Sequence, residues 1–291
     1  RSIFYYYDKD IWINFFDYLN IPYVISPKTT GEILKRGSFL AIDEMCLAMK
    51  IYLGHVDCLK DKCDYILVPR IDNYDISNQM CTNFLSAYDI VCNLFNNNIL
   101  NYNIDLKNRE TLKKGLFDIG IKLGQSKKDI NKAYKYALYK YEEKRIREVS
   151  LNMNKLNSPR KKILIVSHPY NIYDEFIGKE IIGYLEENNM VLIFSDKFDN
   201  VGELSKELTN DLYFKYSKDN LGALVYAKDK IDGVIFISCF PCALDSLANE
   251  MAMRKIKIPY INLVLDDSSS FAGIETRLES FIDVLKGGMN D

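Results

Sequence analysis

Short apolar runs alternate with stretches in which apolar residues recur every three or four positions. That alternation predicts parallel strands flanked by helices. In the first half, residues 2–6 read as a strand and 10–19 as an amphipathic helix. A short strand is expected at 23–26, a helix after a Ser-Pro start at 28–35, and a longer helix at about 43–59 with Cys46 in its first turn. Residues 65–69 read as a buried strand, and a polar loop over 70–79 leads to Cys81. The chain opens at Arg1 inside what reads as its first element, so further sequence is expected ahead of it.

Residues 108–156 are charged and proline-free, with apolar positions three and four apart, and they close in Asn157-Ser158-Pro159-Arg160, which has linker composition. This stretch reads as a helical bridge between domains, or equally as a peripheral helical hairpin on the first. A second α/β unit follows, with strands expected at 163–167, 191–195, 233–238 and 260–265. Its helices are expected at 174–187, 201–208 and 218–227, from about Pro241-Cys242 onward, and at 275–285. The expected division is an N-terminal α/β lobe at 1–107, a helical bridge at 108–160 and a C-terminal α/β lobe at 161–291.

The chain has 291 residues, enough for two domains with full cores. It is 48% hydrophobic and 27% charged, as in globular proteins, and 38 basic against 40 acidic residues leave a net charge of −2. Nucleic-acid binders normally carry a basic excess, so that class is not expected. No apolar run approaches the roughly 20 residues that span a bilayer, and no signal-peptide pattern is present. No membrane association is expected, and the cytoplasm is the expected compartment. No P-loop signature and no G-x-G-x-x-G fingerprint occurs, so neither ATP hydrolysis nor dinucleotide binding of the usual kind is expected.

Seven cysteines are too few, and odd in number, for a disulfide scaffold. Three have matching settings: Cys46 in Asp43-Glu44-Met45-Cys46, Cys81 after the polar loop, and Cys242 in Ser238-Cys239-Phe240-Pro241-Cys242. Such junctions gather at the carboxyl ends of strands in open α/β folds, where ligands bind. Helix N-termini favour thiolate over thiol, and three converging thiolates would suit an iron–sulfur cluster. Each cysteine taken singly also reads as a small core hydrophobe. Cys239-x-x-Cys242 is one half of a metal or redox pair and is weak as a zinc signal. Asp43 and Glu44 complement the dipole of the helix expected there. Cys58, Cys63 and Cys92 read as structural. His55 falls late in the same helix, where a cation is favoured, and His168 ends a strand in a ligand-facing place with a capping or loop role.

The sequence resembles the D-component (cluster-bearing) family of 2-hydroxyacyl-CoA dehydratases, and within it the stand-alone acyl-CoA dehydratase activase-related type. The resemblance rests on Glu44-Met45-Cys46 with Lys50 and Gly54-His55, on Asp64-Tyr65-Ile66-Leu67-Val68-Pro69, and on Cys81. It continues in His168-Pro169-Tyr170-Asn171 and Asp174, in Phe240-Pro241-Cys242-Ala243-Leu244-Asp245-Ser246, and from Asp266 to Thr276-Arg277-Leu278-Glu279. It implies two flavodoxin-like, Rossmann-like lobes with a [4Fe–4S] cluster in the cleft, held by Cys46, Cys81 and Cys242. It also implies an activase-type ATPase as electron donor, a homologous subunit, and an acyl-CoA-like small molecule. In such families an injected electron is used to form a ketyl radical from a 2-hydroxyacyl-CoA. Ser238 and Asp245 are candidates for orienting the ligands. Cys239 is an additional thiol beside the expected ligand, and a double-cubane cluster is the alternative it raises. The remaining alternative is a metal-free bilobed protein that binds a small ligand or serves as a scaffold.

Overall fold

The computed structural model describes residues 1–75, 78–96, 98–268 and 270–287. Ile76 and Ser77, in the loop expected at 70–79, and Ser269, in the final stretch carrying the resemblance, lie outside the described residues. The chain is α/β with parallel sheets, as its pattern predicts, and divides into two compact units, Arg1–Arg145 and Ile146–Asp291.

The first unit opens on a helix, α1 (Ile3–Tyr18), where the sequence reads as a strand at 2–6. Three consecutive tyrosines raise strand propensity locally. The buried positions Ile3, Phe4, Asp8, Ile11, Phe15 and Phe16 nevertheless follow a helical stripe. Residues 23–26 form no strand. Helix α2 (Gly31–Leu40) starts later than the expected 28–35, because Thr30 caps it, its Oγ1 accepting from the Ile33 N–H at 3.4 Å. Helix α3 (Leu47–Leu59) packs closely on α2. Two glycines make that approach possible: a Cβ on Gly37 would overlap the Lys50 carbonyl oxygen, and one on Gly54 the Ile33 carbonyl oxygen.

Strands β1 (Ile66–Leu67) and β2 (Arg70–Asn73) come next, so the expected loop at 70–79 begins as a strand. Helix α4 (Thr82–Leu94), not read from the sequence, leads to β3 (Ile99–Leu100) and β4 (Asn103–Asp105). β1 pairs in parallel with β3, and β2 with β4. The charged middle stretch forms two helices, α5 (Leu112–Lys122) and α6 (Lys127–Lys155). The division into units falls within α6.

In the second unit, β5 (Lys162–Val166), β6 (Val191–Phe194), β7 (Gly233–Cys239) and β8 (Tyr260–Leu265) form one parallel sheet in the order β6-β5-β7-β8. In order of first appearance this is 2-1-3-4, the flavodoxin-like order, which reverses direction between β5 and β7. Leu164 sits between Ile193 and Val234 in the ladders, and all three are buried. Full burial of such side chains contributes roughly 1.5–3 kcal/mol each. The helices are α7 (Pro169–Ile172), α8 (Lys179–Glu187), α9 (Lys215–Ala227), α10 (Ala243–Met253) and α11 (Phe271–Lys286). The helix expected at 174–187 starts only at Lys179, with the short α7 lying wholly ahead of the expected range, and that at 201–208 is a 3-10 turn (Gly202–Glu207). The end of α6 is pinned to β6: buried Asn152 donates to the Phe194 and Lys197 carbonyls and accepts from the Phe194 N–H at 2.9 Å.

Candidate functional site

Each of the three singled-out cysteines occupies the residue immediately before a helix. Cys46 caps α3 with φ −65° and ψ 151°, and Cys81 caps α4 with φ −66° and ψ 155°. Cys242 caps α10 with φ −85° and ψ 98°. At such a position the chain is still extended while its carbonyl already accepts the first helical bond. The Cys46 oxygen receives the Met49 and Lys50 N–H groups, and the Cys81 oxygen receives that of Phe84. The first-turn N–H groups of each helix give the cap region positive character. Among the caps of α2, α3, α4 and α10, Thr30 bonds its helix through a hydroxyl and Cys242 through its sulfur, which accepts from the Asp245 N–H at 3.5 Å.

Two of these helix starts adjoin in the first unit. The Asn83 side-chain amide, in the first turn of α4, donates to the Cys46 sulfur at 3.2 Å. Both Cys46 and Cys81 are half-buried, reachable from solvent yet fixed by their backbones. Asn83 was not singled out from the sequence. Its place two residues after Cys81 is the only sequence signal it gives, because its partner lies 37 residues away.

Two expectations about this region are corrected. Helix α3 begins at Leu47, so Asp43 and Glu44 precede it as exposed residues and do not belong to its first turn. His55 lies mid-helix and is 1% exposed. Burial pushes its pKa down to about 2, so it is neutral and no helix-end cation. Its Nε2 lies 3.0 Å from Thr29 Oγ1, while its Nδ1 has no partner among the described residues.

In the second unit, Cys242 sits beside a buried polar group at the carboxyl ends of β5 and β7, where the strand order reverses. Open α/β sheets bind ligands at this place. His168 precedes α7, with Nε2 3.0 Å from Asp245 Oδ1; its ring stacks on Tyr170 at 4.8 Å and meets Tyr216 edge-on. Asp245, expected to orient ligands, thus holds a histidine through its carboxylate and the Cys242 sulfur through its N–H. Cys239 is buried and donates to Asn171 Oδ1 at 2.9 Å, and Asn171 in turn donates to Ser167 Oγ at 3.1 Å. That thiol is built into the packing. Ser238 is fully buried, and its hydroxyl has no partner among the described residues. Asn171, Tyr170 and Tyr216 complete this group.

Cys58 is half-buried on α3. Cys63 donates to the Leu59 carbonyl at 3.4 Å, and burial, with Asp64 adding to it, pushes its pKa up. Cys92, read as structural, is exposed on α4. Among the described residues no group of three or more His, Cys, Asp and Glu side chains is gathered to hold a metal ion. No helix among them is long and apolar enough to cross a membrane.

No curated protein matches the chain. A family described as the CoA enzyme activase uncharacterised domain (DUF2229) matches residues 1–198, a span that contains Cys46, Cys81 and the His168–Asn171 segment and stops before Cys242. With more than half of its length matched, the chain belongs to the family of the CoA enzyme activase uncharacterised domain.

Proposed function

We propose that this chain is an iron–sulfur protein of the 2-hydroxyacyl-CoA dehydratase D-component type, with Cys46, Cys81 and Cys242 as ligands of a [4Fe–4S] cluster. It takes low-potential electrons from an activase-type ATPase and serves as reductase, dehydratase subunit or accessory protein. The observation that carries the reading is that all three thiols stand at helix starts, with an amide donor on Cys46. Membership of a family named for CoA enzyme activation supports it.

The donor chemistry fits. Thiolates are the ligands such clusters take, and hydrogen bonds to sulfur together with nearby dipoles tune their potential. First-turn peptide N–H groups offset the negative charge of cluster and thiolates, and Asn83 adds a donor at Cys46. The cluster, when bound, supplies a reducing electron. The chain's own residues hold it and set its surroundings, with an acyl-CoA-like molecule as the substrate class. Cys239 is committed to Asn171 and is left out of the ligand set, which favours a single cubane over a double one.

Anaerobic purification and reconstitution, followed by iron and sulfide analysis and electron paramagnetic resonance of the reduced protein, tests this. About four irons per chain are expected. Cys46→Ser, Cys81→Ser and Cys242→Ser should each lose them, while Cys92→Ser retains them. A folded protein that stays colourless and iron-free after reconstitution overturns the assignment.

A further inference from the structure

The sheet of the second unit ends in two edge strands, β6 and β8, and only one of them is closed. In a parallel ladder, alternate residues turn their peptide groups to the neighbour and to the open side. At β6 the Val191 N–H bonds the Lys161 carbonyl at 2.8 Å, so the open side belongs to Leu192 and Phe194. Helix α6 covers it: Lys155 Nζ donates to the Leu192 carbonyl at 3.0 Å, and Asn152 serves both peptide groups of Phe194. At β8 the Pro259 carbonyl accepts from Val234 and the Leu265 carbonyl from Phe240, so Tyr260, Asn262 and Val264 turn outward. Arg277 of α11 meets the Asn262 carbonyl there at 2.7 Å. No other hydrogen bond among the described residues reaches these outward groups. Tyr260 and Val264 are 45% and 42% exposed. They lie on the sheet face away from α11, which packs on the opposite one, where a Cβ on Gly233 would meet Phe281 and Leu285.

We propose that β8 pairs antiparallel with β8 of a second copy of this chain, about a two-fold axis at Asn262. An open edge with apolar side chains is a template for another strand, and in this direction the strand is complementary to itself. Tyr260 and Val264 stand equally far before and after Asn262, so every outward N–H and C=O meets an outward partner. Each tyrosine then faces a valine, an aromatic–β-branched pair that favours antiparallel pairing. Lys257 and Asp267, both exposed, also stand equally far on either side. The two-fold brings the Lys257 end of each strand to the Asp266-Asp267 end of the other, whereas a parallel copy sets like charge against like. A carbonyl has two lone pairs, so that of Asn262 keeps Arg277 while accepting from the second copy. The Asn262 side-chain oxygen, buried without a partner among the described residues, comes beside the same amide of the copy, where a turn of either amide supplies a donor.

Sedimentation equilibrium of the whole chain, kept anaerobic and run over a range of concentrations, tests the pairing. A dimer is expected, with amide exchange at Tyr260 and Val264 slowing as concentration rises. Val264→Asp should abolish the dimer while circular dichroism shows the fold intact, since the position is exposed. Lys257→Glu and Asp267→Lys should each raise the dissociation constant about tenfold or more, because like charges then meet at both ends. An equimolar mixture of those two variants should restore the dimer, since both ends then join opposite charges. A chain that sediments as a monomer throughout overturns the proposal. So does a dimer indifferent to Val264→Asp, or a mixture of the charge variants that stays as weak as either alone.

Discussion

Asn83 presents its side-chain amide to the sulfur of Cys46 at 3.2 Å, linking the first turn of α4 to the residue that caps α3. A hydrogen bond to a charged acceptor is worth about 1.5–3 kcal/mol. Replacing Asn83 with Leu in the metal-free protein should therefore slow alkylation of Cys46 by iodoacetamide about tenfold, since the thiolate is the reacting form. Asn83→Asp should slow it further by setting a carboxylate against the sulfur. Peptide mapping of the alkylated protein isolates Cys46 from the other thiols. An unchanged rate in both variants would show that the amide contributes nothing to thiolate stability.

Asp8 and His55 give the first unit opposing responses to pH. Burial pushes Asp8 up to about 7 despite hydrogen bonds from Tyr74 and Tyr102. From about pH 4 to 7 the native state therefore holds a proton that the unfolded chain has lost, and stability falls as pH rises. His55 is pushed down to about 2 by burial. Below about pH 6.5 the unfolded chain gains a proton that the native state refuses, and stability falls as pH falls. Each slope is at most about 1.4 kcal/mol per pH unit. Between about pH 4 and 6.5 they cancel. Urea titrations should show Asp8→Asn losing stability on acidification through this window, and His55→Gln losing it on going from pH 4 to 7. Parallel curves for both variants and the parent would refute the pairing.

Breaking the buried pair in the second unit should cost more than softening it. Asp245→Ala leaves His168 with an unfilled contact at a site where both side chains are at most 10% exposed. A loss of about 2–3 kcal/mol is expected. Asp245→Asn keeps an acceptor oxygen and should cost less than half as much. Urea midpoints at constant m-value provide the comparison, and equal costs would show that volume, not the hydrogen bond, holds the position.

Gly54→Ala and Gly37→Ala should destabilise the first unit by about 3 kcal/mol or more, beyond the usual cost of overfilling a core, because the added carbon meets backbone and not a movable side chain. Thermal unfolding would register either change. Gly183→Ala, with nothing within 4 Å of the new atom, should leave the midpoint unchanged or raise it.

The second unit was the more legible from sequence. Its central strands hold apolar runs such as Ile163, Leu164, Ile165 and Val166 in β5 and Val234, Ile235, Phe236 and Ile237 in β7, buried on both faces, and runs of that kind have few alternatives. The first unit misled where propensity and period disagree. Tyr5, Tyr6 and Tyr7 favour a strand, but Phe4, Ile11 and Phe15 are spaced for a helix, and tertiary burial decided the outcome. Helix α4 was missed because Thr82, Asn83 and Ser86 dilute its apolar stripe. At the candidate site, placement of Cys46 and Cys242 at helix starts followed from local pattern. The Asn83 contact, the neutral state of His55 and the commitment of Cys239 to Asn171 depend on residues brought together from afar, which no local pattern contains.

The glycine contact between α2 and α3 also bears on how Cys46 moves. With carbonyl oxygens seated where side chains would ordinarily intervene, the two helices have no cushioning layer over which to slide. Displacing the sulfur at the head of α3 would then drag α2 along as one block, so the six residues from Ala41 to Cys46 can bend without letting the thiol wander.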